Sequence, residues 1–486
     1  MRRPAWLLYP SFQCCYGASD TNYLCPFGSY AWYVLPPLSL VFWMHVPCLR
    51  VKRAVDEKTG EEVAVKVMEK ESIASMHMTS NVRREIAIMK ALSHENIVRL
   101  RAQSPGGFFA VDGPEVPLLG RSAGLVAGSG FESIDVVALD RLLAGSLATL
   151  STSIGRASES LTGESSTDDI ETLFQLVNLQ MTEATITDLQ VRQFDERWRP
   201  LAEDPSLNPQ IAGDLELWQL RYGDSPWFRL FPTLEDLDGL DSELLLTAYR
   251  DRFADAGDFV FAVVGDFDQG ELIDLGARYL GTLPDSGRRE VPIDRDPGLP
   301  EENLIATVAA GIGDQGRVRI NWESPYPFTL EADVAAQALE LVVNARLRDL
   351  IREELGASYS PNAAVAVLSE PKSWVDTIVE VESDPERVGE VSDVIHQELE
   401  RIRAGELDQQ YLDLAVDQLT EQYRFFNNNQ WLELLLFHTR YDDRPAGEFR
   451  TRTDIAQSLT IADMVETAAQ VFPPTRSVEI QLIPAG

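Results

Sequence analysis

Beyond residue 48 this chain of 486 residues has no cysteine, and beyond residue 90 its one lysine is Lys372. Cys14, Cys15, Cys25 and Cys48 show no C-x-x-C spacing and have no partner later in the chain, so neither a zinc ribbon nor a disulfide framework can be argued. Histidine is equally scarce. The five, His45, His77, His94, His396 and His438, are too far apart in sequence for two to share one turn of a metal-binding helix. Positive charge is in deficit, with a net charge of −35, which argues against nucleic acid and against an anionic membrane surface. Long apolar runs are nearly absent. Residues 31–49 are uncharged and approach the length of a membrane span, but Pro36, Pro37 and Pro47 interrupt them. No small-residue cleavage site follows a clean apolar core. A poorly structured leader is the plainer reading of this stretch, and a transmembrane or signal segment the other.

What is present changes abruptly along the chain. Residues 1–101 hold 13 basic and 9 acidic residues; the remainder holds 29 and 68, a net of −39. Five of the six lysines and all four cysteines fall in that first stretch. One domain does not normally switch its residue usage in this way, so a junction is expected near Arg101 to Ser104.

Residues 51–101 contain a β-rich run with a Lys-Thr-Gly turn, leading to Val63-Ala64-Val65-Lys66. A helical pattern follows, with Glu85 near its start and Ile86, Met89 and Ala91 close to one face. With the SHENIVRL continuation, this segment resembles part of the small lobe of a serine/threonine protein kinase. The resemblance implies that Lys66 would hold nucleotide phosphates and pair with Glu85. A Gly-rich loop is missing just before Val51, where the chain reads HVPCLR, and neither an H-R-D nor a D-F-G motif occurs. Phosphoryl transfer needs a base positioner and metal ligands, so kinase activity is not expected.

After the junction the pattern is that of two α/β units. Ser166 and Asp169 fit a helix-capping box ahead of Ile170, Leu173, Phe174, Val177 and Met181 at helical spacing. Phe259 to Val264 reads as a buried strand ending at Gly265-Asp266. Asp294 to Asn303, DRDPGLPEEN, reads as a linker. In the second unit Val318, Ile320 and Trp322 alternate with polar residues as in a half-buried strand. A long helix then carries Val334, Ala338, Leu341 and Ala345 on one stripe, and Gly356 suits its C-terminal cap. Thr377 to Val381 alternates as a strand, and Leu412, Val416, Leu419 and Tyr423 mark another helix. The stretch FVFAVVGDFD resembles TIVEVESDPE, with Asp266 and Asp384 at matching places, which suggests a tandem duplication.

Five blocks carry a second resemblance: RYGDSPWF at 221–228, YRDRFADAGDFVFAVVGDFD at 249–268, RYLGTLP at 278–284, IREELGASYSP at 351–361 and FNNNQWL at 426–432. Their order and spacing resemble the C-terminal half of pitrilysin-type (insulinase-type) zinc peptidases over about residues 104–486. The resemblance implies an α+β fold of two tandem pitrilysin-type α/β roll domains, mixed or antiparallel sheets packed with helices, behind a short kinase-like β/α fragment. The expected organisation is a leader at 1–50, the kinase fragment at 51–101, a first peptidase-like domain at 104–293 shortened at its start, and a second at 303–486.

By the same resemblance Arg352 and Tyr359, seven residues apart, would contact substrate near the scissile carbonyl. A guanidinium and a phenol can donate to the oxygen on which negative charge develops. Arg352 in the last turn of a helix also suits the helix dipole. Asp266, Trp227, Phe228 and Trp431 read as structural, and Glu353 with Glu354 diverge on a helix and make no acid/base pair. The family's H-x-x-E-H helix has no counterpart here, so no cofactor is expected in this chain and zinc is implied only through a metal-bearing partner half. The expected function is that of a substrate-clamping half acting on peptide or unfolded polypeptide. A non-catalytic peptide-binding scaffold, or a fused product with a vestigial ATP-binding fragment, is the alternative.

Overall fold

The computed structural model describes the backbone of residues 30–35, 49–55 and 62–69, and residues 97–485 except 113–115, 230, 299, 312–314, 356–360, 425–429, 431 and 433–450; residues 118 and 352–355 are described by backbone alone. The chain divides into two compact units, Met1–Glu95 and Asn96–Gly486. In the first, β1 (Tyr30–Leu35), β2 (Leu49–Val55) and β3 (Glu62–Glu69) form an antiparallel sheet in the order β1-β3-β2. The helix expected around Glu85 lies outside the described residues. The apolar stretch 31–49 enters β1 at its start and β2 at its end, and the rest of it is also outside them. Among the described residues no helix is long and apolar enough to cross a membrane.

The second unit holds two helix-covered sheets. The first sheet is built from β4 (Ile97–Pro105), β7 (Thr149–Ile154), β8 (Ser158–Ser166) and β9 (Val260–Gly265) in the order β7-β8-β4-β9, all antiparallel. A small hairpin, β5 (Gly130–Phe131) and β6 (Ile134–Asp135), lies between. Helices α1 (Val116–Ala127) and α2 (Ile170–Thr182) cover one face. Ser166 Oγ accepts from Asp169 N at 3.2 Å in the turn leading into α2, and Ile170, Leu173, Phe174, Val177 and Met181 are all buried as their spacing predicts. Further on lie α3 (Pro209–Tyr222), which ends the first half's link toward the second sheet, and α4 (Ser242–Phe253).

The second sheet has the order β10-β14-β11-β13-β12, from β10 (Leu304–Ala309), β11 (Gly316–Pro325), β12 (Asn362–Leu368), β13 (Trp374–Ser383) and β14 (Ser477–Ile483). The β10–β14 pair is parallel and the others antiparallel. Four helices, α5 (Leu330–Leu355), α6 (Val388–Arg403), α7 (Gln409–Arg424) and α8 (Ile461–Val471), enclose its core around Val318, Ile320, Val379 and Val381.

The two sheets share one topology. Placing β4, β7, β8 and β9 on β11, β12, β13 and β14 reproduces both strand order and antiparallel pairing. That supports duplication, but in a different register from the sequence echo. The echo matched β9 with β13, whereas the topological partner of β13 is β8, so Asp266 and Asp384 end non-equivalent strands. Among the described residues the first sheet has no counterpart of β10, and β9 therefore stands at an edge. Its residues are mostly half-buried, in contrast to the buried strand the apolar run suggested, because one neighbour is missing.

The strand β4 runs straight across the composition junction. Its first residues are the IVRL of the kinase-like segment, yet Val98, Leu100 and Ala102 are fully buried in the core of the first sheet. Gly265 is fitted to this strand: its φ is 144°, and a Cβ there would lie 2.0 Å from the Ile97 carbonyl oxygen. Asp266 N then donates to that same carbonyl at 3.2 Å.

Candidate functional site

Of the expected substrate contacts, the described residues place the backbone of Arg352 in the second half. Helix α5 runs to Leu355 and so carries Arg352 in its last turn, and β12 begins at Asn362. The Arg352 side chain and all of Tyr359 lie outside the described residues, as do Gly356 and the side chains of Glu353 and Glu354. What is described is how α5 and β12 are held together. Asn344 of α5 receives Ala363 N on Oδ1 and donates Nδ2 to Ala363 O, both at 2.8 Å. One turn earlier, Glu340 Oε2 accepts Val365 N at 2.9 Å, and burial raises the Glu340 carboxyl above its ordinary range. The side-chain amide thus pairs with an edge strand as another strand would.

Lys66 lies on β3, paired across the sheet with Tyr33 of β1 and Val51 of β2. Glu85 lies outside the described residues.

A second constellation occupies the face of the second sheet turned away from its helices. Along β11 the residues Arg317, Arg319, Asn321 and Glu323 alternate with the buried Val318, Ile320, Trp322 and Ser324. Across the ladder they face Glu382, Glu380, Ile378 and Asp376 of β13. Two of these cross-strand pairs join opposite charges. The last, Glu323 with Asp376, sets two carboxylates side by side, which is unfavourable unless cations intervene. Helix α3 supplies one. Arg221 reaches Glu323 Oε2, Asp296 Oδ1 at 3.2 Å and Gly298 O at 2.6 Å, and Tyr222 donates its hydroxyl to Glu323 Oε1. Arg221 and Asp296 are almost fully buried, and Lys372 Nζ lies 3.1 Å from Asp296. Burial alone would lower the Arg221 pKa, but Glu323, Tyr222 and Asp296 outweigh it and raise it.

Arg156, in the turn between β7 and β8, lies over the rings of Trp218, Tyr222 and Phe228 at 5.1, 5.6 and 5.1 Å. Arg156, Trp218 and Tyr222 border a cavity of about 310 Å³ between α3 and the sheet. Asp376 also lines it. Burial, then the adjacent Glu323, pushes its carboxyl up to about 7 against the pull of Arg156 and Arg221.

The RYGDSPWF block is therefore a joint. Its Arg and Tyr bind the second half, while Phe228 is buried against Phe109 and stacks on Tyr222 with ring centroids 3.9 Å apart. Trp227 is partly buried there and donates Nε1 to Val111 O at 3.0 Å, and the Trp431 side chain lies outside the described residues. Sequence reasoning assigned this block to structure but missed Glu323 and Asp376. Their signal was the charged alternate face of β11 and of β13.

Residues 241–419 match the family profile described as the peptidase M16 inactive domain, and residues 49–104 match that of the protein kinase domain. Over residues 241–419 the chain is thus similar to the inactive domain of M16 peptidases. Among curated relatives, the probable zinc protease PqqL of Escherichia coli is 22% identical over 372 residues, covering 76% of this chain and 39% of that protein. Its Haemophilus influenzae namesake is 24% identical over 339 residues, covering 68% and 34%. The chain thus spans a little over a third of the length of these relatives. The periplasmic protease PqqL structure from E. coli superposes with a TM-score of 0.68 at 18% identity, over 93% of this chain and 48% of that one. An isolated peptidase M16 inactive domain from Pseudomonas fluorescens gives 0.67 at 16% identity, over 80% of this chain and 93% of that one. Both likenesses concern the fold. The kinase-like segment is 51% identical over 51 residues to rice CBL-interacting protein kinase 24, covering 10% of this chain and 11% of that kinase.

The relatives' name implies zinc, and the described residues do not fit it. His396 is the one histidine among them, its Nε2 is 3.0 Å from Glu479 Oε2, and its ring meets Trp322 edge-on. Burial would raise the Glu479 carboxyl, but hydrogen bonds from His396, Gln481 and Ser392 outweigh it and lower the pKa. The buried Glu479 and the part-exposed His396 are thus already partnered with each other. No group of three or more His, Cys, Asp or Glu among the described residues could hold a metal ion.

Proposed function

We propose that this chain is the substrate-clamping half of a split zinc peptidase. It binds peptide or unfolded polypeptide through Arg352 and Tyr359, and a separate metal-bearing half completes the site. The observation that carries the reading is the α5–β12 frame, in which Asn344 and Glu340 fix both ends of the segment bearing the two residues. Such bracing is what a pair of transition-state donors requires, since their worth depends on fixed placement. The match to the inactive M16 domain over 241–419 supports it. A protein similar in fold, the ferredoxin protease FusC, is known in complex with Arabidopsis ferredoxin, which agrees with a polypeptide substrate.

The test mixes the full chain with a metal-bearing M16 half and follows cleavage of an unstructured fluorogenic peptide. Zinc-dependent cleavage is expected, with Arg352→Ala lowering kcat/KM about 10²–10³-fold, the usual cost of removing one oxyanion donor. Full activity of that variant would remove the assigned role. Peptide binding without cleavage by any partner would instead favour the non-catalytic scaffold, a reading supported by the domain's description as inactive.

A further inference from the structure

Three parts of the second unit meet at Asp376. From the first half come Arg221 and Tyr222 at the end of α3, and Arg156 from the β7–β8 turn. From the linker come Asp294 and Asp296, both held by Lys372 of the β12–β13 loop at 3.0 and 3.1 Å. From the second sheet comes Glu323, directly opposite on β11, while Arg319 and Arg476 line the same cavity. Most of these charges are already committed. Arg221 serves Glu323 and Asp296, Arg319 serves Asp214, and Arg156 lies over its three rings. Asp376 Oδ1 is buried with no hydrogen-bond partner among the described residues.

An ionised carboxylate with a bare buried oxygen, set beside a second carboxylate, is a costly arrangement. A protonated one is not. We propose that Asp376, set opposite Glu323 with a bare buried oxygen, works as a proton-operated catch on the joint between the two α/β halves.

The direction follows from linkage. With the joint closed, Asp376 titrates at about 7, well above its ordinary 3.8; with the joint open, water surrounds it and the ordinary value returns. Below that ordinary value both forms hold the proton and pH has no effect. Between the two values the open form ionises first, so each pH unit favours opening by up to about tenfold. Above about 7 both forms are ionised and the effect levels off. By this pair the joint is tightest below about pH 3.8, loosens through mild acid, and is loosest above about pH 7.

Hydrogen exchange on the full chain tests this, comparing the wild type with Asp376→Asn at pH 5 and pH 8. The asparagine resembles the neutral acid in shape and cannot ionise, and comparison at equal pH cancels intrinsic exchange. Expected is a fall of tenfold or more, from pH 5 to pH 8, in the wild-type to D376N protection ratio over residues 209–222 and 374–383. Residues 388–403, on the far side of the sheet, should show no such fall, and Glu323→Gln should shrink it at the joint. A ratio constant within twofold at the two pH values would overturn the proposal, as would an equal fall at 388–403 or an undiminished fall in Glu323→Gln.

Discussion

Leu100→Ala tests whether a residue from the kinase-like segment is a core residue of the peptidase-like unit. Leu100 is fully buried on β4, the strand flanked by β8 and β9, with Gly163 on one side and Val263 on the other. It shares a core with Val98, Leu161, Leu173 and Phe174. Truncation removes three carbons from a site walled by two paired strands and a helix, where collapse is restricted. The cost should be about 2–5 kcal/mol. Against a domain stability of about 5–15 kcal/mol, this is a large part of the whole. Urea unfolding read by tryptophan fluorescence gives the number, and hydrogen exchange over 158–166 and 260–265 localises it. If Ile97–Arg101 served the kinase-like unit alone, those peptides would keep their protection and stability would fall by less than about 1 kcal/mol. That result would refute the placement of β4.

Other perturbations bear on the joint and the frame. Arg221→Ala leaves Glu323 and Asp296 short of their shared buried cation, and should cost about 3–5 kcal/mol in denaturant unfolding; Arg221→Lys should recover little, since an ammonium cannot reach three acceptors as the fork does. A loss below about 1 kcal/mol would show the joint to be dispensable. Asn344→Ala removes both bonds to Ala363 and should cost about 1–3 kcal/mol, with faster exchange at residues 363–365 than at the β13 positions opposite. Unchanged exchange there would show that α5 does not hold β12.

Much of this was legible because it is local. Helix stripes such as Ile170 to Met181 and the β11 alternation depend on period alone, and the spaced blocks identified the peptidase-like half. What escaped depends on which strand lies beside which. The run FVFAVV has the same composition in the middle of a sheet or at its edge, so its half-burial could be read only from its place at the edge of the sheet among the described residues. IVRL belonged by sequence to one resemblance and by hydrogen bonding to the other. Asp376 and Glu323 lie 53 positions apart, and only antiparallel register sets them opposite each other.

The amide of Asn344 also governs how a polypeptide can meet this side of the protein. A strand at the rim of a sheet ordinarily offers its outward N–H and C=O groups to any extended chain, irrespective of sequence. On β12 the outward groups of Ala363 and the N–H of Val365 are already bonded to α5. Main-chain pairing is closed at these positions, so a bound chain must be recognised there by its side chains. Selectivity along this rim should follow residue identity, and the same seal denies a second copy of the protein a place to add its own strand.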